Sequence, residues 1–534
     1  MTLGYSESAK TDYNCEIPEN AIAFDEKNMM EKLLNLDKPC FAVKTDKGIG
    51  LCNDGSFGSG DSETLAYIPP FSDKNFGDTQ FQNDYGTKYC LYGGAMANGI
   101  ASEEMVIELG KNGFFGSFGS AGLIPSRVEE AIIKIQKALP EGPYAFNLIH
   151  SPSEPAMEQG AVDLYLKYKV RCIEAAAYMA LTLPIVQYRV SGLSLDNDNK
   201  VVIKNRIIAK ISRKEVATRF MQPAPQKILK KLLEKGLITD EQAELSQRVP
   251  MADDITVEAD SGGHTDNRPL VSLLPSILSL KAVIQDKFNY DIPVRIGAGG
   301  GVGTPEAALA TFMMGASYVV TGSVNQGCIE SGTSEHVKKL LSTIDMADVI
   351  MAPAADMFEM GVEVQVLKRG SLFPMRAAKL YDIYNSCESI ETIPTVEREK
   401  IEKTVFKKSL DEIWSDTVAF FEERDPAQIK KAEENPKRKM ALIFRWYLGL
   451  SSRWANIGEK GREMDYQIWC GAAMGAFNSW VNGTYLESHE NRKVVNVNRN
   501  ILKGAALFYR LQSLKNQGIE FPFSMNRYIP QKSF

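Results

Sequence analysis

At 534 residues the chain exceeds one average domain, and its 44% hydrophobic content is enough for sizeable cores, so two or three domains are expected. The formal net charge of −6 argues against general nucleic-acid binding. The eight cysteines are scattered without a C-x-x-C pair, which argues against a zinc ribbon or a disulfide scaffold and fits a reducing cytoplasm, so no metal site is expected.

The polar N-terminus, MTLGYSESAK, lacks the apolar core of a signal peptide. No apolar run reaches membrane-spanning length; Ala175 to Val186 is short and broken by Pro184. Residues 1–84 read as a small N-terminal module. Phe41-Ala42-Val43, a turn at Lys47-Gly48, and Ile49-Gly50-Leu51 predict a hairpin. Ser56 to Asp61 is a glycine-serine loop.

From 85 to 384 strands alternate with helices. The predicted strands are Tyr89–Tyr92, Phe114–Phe115, Ala145–Ile149, Arg171–Ala175, Ile185–Val190, Ile207–Ile211, Ile255–Glu258, Val294–Ile296 and Tyr318–Val320. Ser102 to Leu109 reads as a helix, and Ser126 with Glu129 as a capping box ahead of another. Repeated βα units of this length predict a parallel sheet, and eight or nine strands favour its closed form. The expected fold is therefore α/β, a (β/α)8 TIM barrel with a helical insertion, a small N-terminal module and a C-terminal helical region.

The insertion spans about 212–250. Ser212 with Glu215 and Thr239 with Gln242 read as capping boxes, and Ile228, Leu229, Leu232 and Leu233 as an apolar stripe. It is expected on the loop face of the barrel, as a lid that shapes ligand access. Residues 385–534 are helical in texture, and their tryptophan cluster reads as core or interface rather than site. The charge run Lys437, Arg438 and Lys439 reads as a solvated face or as a docking patch.

Several strand ends carry candidate site residues. The first continues as Gly93-Gly94-Ala95-Met96-Ala97-Asn98, where small residues let a flat ligand lie against the backbone. The third ends Asn147-Leu148-Ile149-His150-Ser151, with polar groups at the mouth. Another ends Glu258-Ala259-Asp260-Ser261-Gly262-Gly263-His264. His264 is one of only four histidines and stands among carboxylates and hydroxyls, so it is placed to titrate near neutral pH and move a proton. Lys210 is either a cation at the mouth that balances an anionic cofactor, or a surface lysine. Gly116, Gly119 and Gly122 either bend a loop round a ligand or form turns.

The sharpest signal is Pro293 to Gln326. An apolar strand runs into Gly297, Gly299, Gly300, Gly301 and Gly303, and Thr304 and Pro305 open a helix as N-cap and first-turn proline. The next short strand ends in Thr321-Gly322-Ser323. A dinucleotide fingerprint fails in both registers, because Val302 and Thr304 stand where its last glycine belongs. Two successive strand ends with bare amides beside a helix N-terminus instead suit a phosphate bound after barrel strands seven and eight.

The segments GGAMANGIAS, FNLIHSP, EADSGGHTDNRP and GAGGGVGTPEAALA…GASYVVTGSVNQ resemble the nitronate monooxygenase-like flavoproteins. Phe358 to Tyr384, Arg445 to Ala455 and Asp465 to Glu487 resemble one branch, the trans-acting enoyl reductases of polyunsaturated fatty acid and polyketide synthases. The resemblance covers about residue 85 to the C-terminus. It implies an FMN-binding barrel. Gly94, Ala95, Met96, Ala97, Asn147 and Gly263 would contact the cofactor near its ring, with Lys210 balancing the reduced form. Gly299, Gly300, Gly301, Gly322 and Ser323 would hold its phosphate.

The branch further implies that NADPH reduces the FMN and that a trans-2-enoyl thioester on acyl carrier protein receives the hydride at Cβ. His264 then supplies a proton or polarises the thioester carbonyl. Synthase modules are the implied partners, and the branch leaves room for a homodimer. Asp260-Ser261 departs from the Glu-Ala that usually precedes Gly-Gly-His in the nitronate branch. Two other readings stay open: a nitronate-oxidising flavoenzyme, and a non-catalytic flavin-binding partner of a synthase.

Overall fold

Eight parallel strands close into a barrel in the computed structural model, which describes residues 3–5, 13–58, 62–150 and 155–533. Ser151 and the end of the 56–61 loop lie outside the described residues. In order the strands are Leu91–Gly93, Phe115–Phe118, Ala145–Ile149, Cys172–Ala176, Arg206–Ile211, Asp254–Glu258, Arg295–Gly299 and Val319–Thr321. The eighth pairs with the first, Val319 opposite Leu91, and closes the ring. Strands buried on both faces need no polar alternation, which is why these runs read as plain apolar segments.

A short helix, Thr79–Tyr85, plugs the N-terminal end of the barrel. Its Tyr85 hydroxyl donates to Asp254 Oδ2 at 2.5 Å, and Arg295 bridges Asp84 and Asp254 at 2.6 and 2.7 Å. Phe81 and Tyr85 of the plug join Tyr92, Phe115, Ile208 and Tyr318 in one apolar cluster. With that end filled, the C-terminal ends of the strands are left to bind a ligand.

The expected strand at Ile185–Val190 is a helix, Leu183–Ser191. Pro184 stands in its first turn, where a proline opens a helix. Ile185 to Val190 are all buried, so the segment lacks the polar face that marks a helix in sequence. Part of that covering comes from the insertion, whose helices Gln226–Glu234 and Asp240–Leu245 pack on it.

The insertion is helical, as expected, but it does not cover the mouth. Its first helix, Lys214–Met221, descends beside the barrel strand and packs against Leu270–Phe288. The chain then re-enters the barrel at Asp254, at the N-terminal end, so the two further helices lie away from the ligand face. No residue between 211 and 255 lines the cavity described below. The Thr239–Gln242 capping box forms. The Ser212 box does not, because the Ser212 hydroxyl donates to Asp266 Oδ2 at 2.5 Å. The helix after Ile124 starts on Pro125 without a side-chain cap, so the Ser126 box is also missing.

Beyond the barrel a hairpin, Val349–Pro353 with Glu363–Leu367, leads into the helical region. Its main helices are Leu410–Arg424, Pro436–Ile457, Ala473–Val481 and Val494–Lys515. None of the helices is long and apolar enough to cross a membrane among the described residues. The last one packs on barrel helix Pro305–Met313 and on the N-terminal sheet. That sheet has five strands and contains the expected hairpin, Cys40–Thr45 paired with Gly48–Cys52. Arg510, fully buried, donates to five carbonyls from Lys32 to Lys38, capping the end of helix Glu26–Leu34. Chain beginning and chain end thus share one polar clamp.

Candidate active site

A cavity of ≈ 1010 Å³ opens at the C-terminal ends of the barrel strands. The residues expected to hold the cofactor line it together with His264: Gly94, Ala95, Met96, Ala97, Asn147, Lys210, Gly263, Gly299, Gly300, Gly301, Gly322 and Ser323; His150 does not, its Nδ1 lying 2.9 Å from Glu158 Oε2. They come from six different strand ends, so only closure of the barrel brings them together.

The first loop is set by close backbone packing. A Cβ at position 119 would stand 1.7 Å from the Met96 carbonyl oxygen, so Gly119 is what lets the second loop rest on the first. The Ala95 amide donates to Glu174 Oε2 at 3.0 Å. Asn147 is buried, and its Nδ2 donates to the Glu174 carbonyl at 3.1 Å. The Asn147 carbonyl in turn accepts from Ser120 Oγ and the Tyr165 hydroxyl at 2.5 and 2.7 Å.

Lys210 does face the cavity, but not as a lone cation. Its Nζ lies 2.8 Å from Glu258 Oε1 and 3.6 Å from Glu174 Oε1. Burial disfavours its charge, and the two carboxylates outweigh that and hold its pKa above the ordinary lysine value. Burial pushes Glu174 up, while Lys210 and the Ala95 amide pull it back down in part. Two carboxylates against one ammonium leave this cluster anionic when all three are ionised.

The phosphate candidate takes the expected form at its helix. Thr304 is the N-cap of Pro305–Met313, accepting from the Ala307 amide, with proline in the first turn. Gly300 and Gly301 have φ of 89° and 78°, left-handed values that glycine adopts without strain. A Cβ on Gly301 or Gly322 would meet nothing within 4 Å, so both backbones stand open to a ligand. A Cβ on Gly300 would instead lie 2.7 Å from the Ala259 carbonyl carbon. Ser323 Oγ accepts from the Gly471 amide at 2.9 Å.

His264 is not on a free loop. Gly263 and His264 pair antiparallel with Gln365 and Val364 of the post-barrel hairpin. Its Nε2 lies 3.1 Å from Asp356 Oδ1, and each side chain is 33% exposed. Burial works against protonation of His264, but the hydrogen bond and charge of Asp356, with Glu258 adding to them, hold its pKa above the usual histidine value. Burial raises Asp356, and His264 with Arg445 more than reverses that, leaving its carboxyl below the usual range.

The helical region forms the other wall. Trp446 and Trp469 line the cavity, which corrects the reading of the tryptophan cluster as core or interface rather than site; Trp414, Trp454 and Trp480 lie elsewhere. Trp469 reaches the site because Gly262 and Gly471 let two backbones touch: a Cβ on Gly262 would stand 2.8 Å from the Cys470 amide nitrogen. Trp469 Nε1 has no hydrogen-bond partner among the described residues. Lys437, Arg438 and Lys439 are half-buried rather than a fully solvated face, and each has a partner within the helical region. Lys437 Nζ donates to the Cys387 carbonyl at 2.6 Å, Arg438 to Gln428 at 2.5 Å, and Lys439 lies over the Trp414 ring.

Neither Glu174 nor Asp356 is a candidate from the sequence, and Glu258 enters there only as the first residue of the strand end that leads to His264. Glu174 carried a usable signal, a single carboxylate in an otherwise apolar barrel strand. Asp356 carried none, because its role depends on a hairpin that folds back over the sixth strand end.

Residues 81–403, more than half of the chain, match the nitronate monooxygenase family. The chain belongs to that family. Residues 17–70 match the N-terminal domain of fatty acid synthase subunit PfaD, and residues 387–466 match the inserted helical domain of [acyl-carrier-protein] S-malonyltransferase. Over 491 residues the chain is 50% identical to a polyunsaturated fatty acid synthase subunit of Thraustochytrium sp. (strain ATCC 26185 / S-3), covering 91% of itself and 33% of that protein. It is 45% identical to polyketide biosynthesis protein PksE of Bacillus subtilis (strain 168), covering 83% of itself and 58% of that protein. It thus spans about a third and somewhat over half of these two relatives. The enoyl reductase domain of MlnA, from the macrolactin biosynthesis cluster of Bacillus amyloliquefaciens, superposes with a TM-score of 0.79 at 42% identity, covering 82% of this chain and 99% of that one. A flavin is the cofactor that membership of the nitronate monooxygenase family implies, and the open glycine backbones and unpartnered polar atoms of the cavity are compatible with it.

Proposed function

We propose that this chain is an FMN-dependent enoyl reductase that uses NADPH and acts on trans-2-enoyl thioesters carried by acyl carrier protein, as part of a fatty acid or polyketide synthase. The observation that carries this reading is the meeting, in one cavity, of two open glycine loops and a histidine–aspartate pair. Gly301, Gly322 and Ser323 would hold the phosphate, and Ala95, Met96, Asn147 and Gly263 the ring. When bound, FMN reduced by NADPH supplies the hydride for Cβ of the enoyl thioester.

The chain's own part is to bind, orient and protonate. His264 gives the proton that Cα needs as enolate charge develops, and its raised pKa suits a donor near neutral pH. The Glu174–Lys210–Glu258 cluster would set the charge at the cofactor site. Trp446, Leu442 and Phe421 offer an apolar wall for the acyl chain. The match of the helical wall to a domain inserted in a carrier-protein acyltransferase supports a carrier-borne substrate.

Anaerobic stopped-flow of the yellow protein, set beside aerobic turnover of propyl nitronate, tests the reading. NADPH bleaches the flavin and crotonyl thioester then restores its absorbance without oxygen, faster than the aerobic protein turns over the nitronate. Faster turnover of the nitronate reverses the assignment.

A further inference from the structure

One hairpin after the barrel holds both the backbone of His264 and a carboxylate against its ring. Gly263 and His264 form the outer strand of a three-stranded sheet with Glu363–Leu367 and Val349–Pro353. The connection between those two strands carries Asp356, 3.1 Å from His264 Nε2. The same hairpin supplies Gln365, whose Nε2 donates to Asp260 Oδ1 at 2.8 Å and steadies the turn before Gly262. Nδ1 of His264 has no partner among the described residues.

We infer that Asp356 is the positioning residue of this site: it fixes the His264 ring through Nε2 and leaves Nδ1 to meet the reacting atoms. The neutral ring then carries its proton on Nε2, and the charged ring has its transferable proton on Nδ1. Passing that proton to Cα leaves the neutral Nε2–H tautomer against an ionised Asp356, and solvent restores the lost proton. The other charges facing the pair are Glu258 and Lys210 from the barrel and Arg445 from helix Pro436–Ile457. Arg445 also lies 3.4 Å from Glu359, so it is a shared rather than a dedicated partner of Asp356.

This inference rests on the reading of His264 as proton donor, and the test separates the two. The holoenzyme is labelled in its four histidines, and His264 is assigned by comparison with His264→Gln. Nuclear magnetic resonance titration then gives the His264 pKa directly. In the parent it lies above 6.5, the ordinary value. In Asp356→Asn it falls by about one unit or more, the scale of an opposite charge at this range. The high-pH limb of flavin re-oxidation by crotonyl thioester moves down with it, so that re-oxidation at pH 8 slows about tenfold. Flavin reduction by NADPH changes less than about twofold, and Asp356→Glu recovers part of the loss.

A parent His264 titrating below 6.5, or an unchanged His264 pKa in Asp356→Asn with full flavin content, overturns the inference. The parent measurement needs no variant, so failure of Asp356→Asn to fold does not shield it. A shifted pKa in a protein that never re-oxidises with enoyl thioester sinks the reductase reading and leaves the pair standing.

Discussion

The two walls of the cavity are built from different material. The barrel wall is backbone: glycines at successive strand ends, amides without side chains over them, and one fixed cluster of charge. The helical wall is side chain: Trp446, Trp469, Phe421 and Leu442 from segments that follow the barrel by a hundred residues or more. On the proposed reading, the backbone wall would take what is common to every turnover, a cofactor phosphate and a flat ring, and the side-chain wall would take what varies, an acyl chain. If that division holds, damage to the first wall abolishes activity and damage to the second retunes it.

The largest effect is expected on the backbone wall. Gly322→Asp sets a carboxylate into open space at the end of the eighth strand, where no protein atom blocks it and φ is −127°. The variant should purify folded but nearly colourless. Full flavin occupancy, read from absorbance at equal melting temperature, would place the phosphate elsewhere. Gly300→Asp is a poorer test, because its side chain collides with the Ala259 backbone before any ligand is involved.

His264→Gln comes next. Flavin binding survives, and re-oxidation by enoyl thioester slows on the order of a hundredfold, the usual worth of a positioned acid. In the parent, re-oxidation falls as pH rises through the raised His264 pKa, since only the protonated ring can donate; the variant should show no such limb. A variant with the parental pH profile makes His264 a bystander.

On the side-chain wall, Trp446→Ala should lower kcat/KM for long-chain enoyl thioesters roughly tenfold, from a lost contact of about 1.5 kcal/mol. Short-chain substrates and flavin content should change little. Equal losses for short and long chains would erase the division between the walls.

The insertion makes the smallest difference to activity. Leu232 is fully buried among the helices behind the barrel, so Leu232→Ala should cost about 2–5 kcal/mol of stability and leave kcat and KM untouched. A change in chain-length preference without a drop in melting temperature would restore the lid.

The insertion also shows why legible pieces do not give legible placement. Its helices follow from apolar stripes and from the Thr239–Gln242 box, which are local patterns. Its position does not, because a parallel strand must be re-entered from the N-terminal end, and that rule carries the segment away from the mouth. The buried helix Leu183–Ser191 reads as a strand for a related reason: the insertion covers its outer face, so no polar stripe is needed there.

By itself the sequence located the eight barrel strands, with one buried helix counted among them as a ninth, together with the glycine loops at Gly299–Gly301 and Gly322-Ser323 and the one histidine beside paired glycines. Those features depend on backbone freedom, capping and apolar runs, all of which act between near neighbours. The tertiary structure alone decided the rest. Closure of the ring brought Glu174, Lys210 and Glu258 into one charged cluster, and the post-barrel hairpin set Asp356 against His264, 92 residues earlier in the chain. Such contacts carry no local signal, because they form only when segments far apart in sequence are packed together by burial elsewhere.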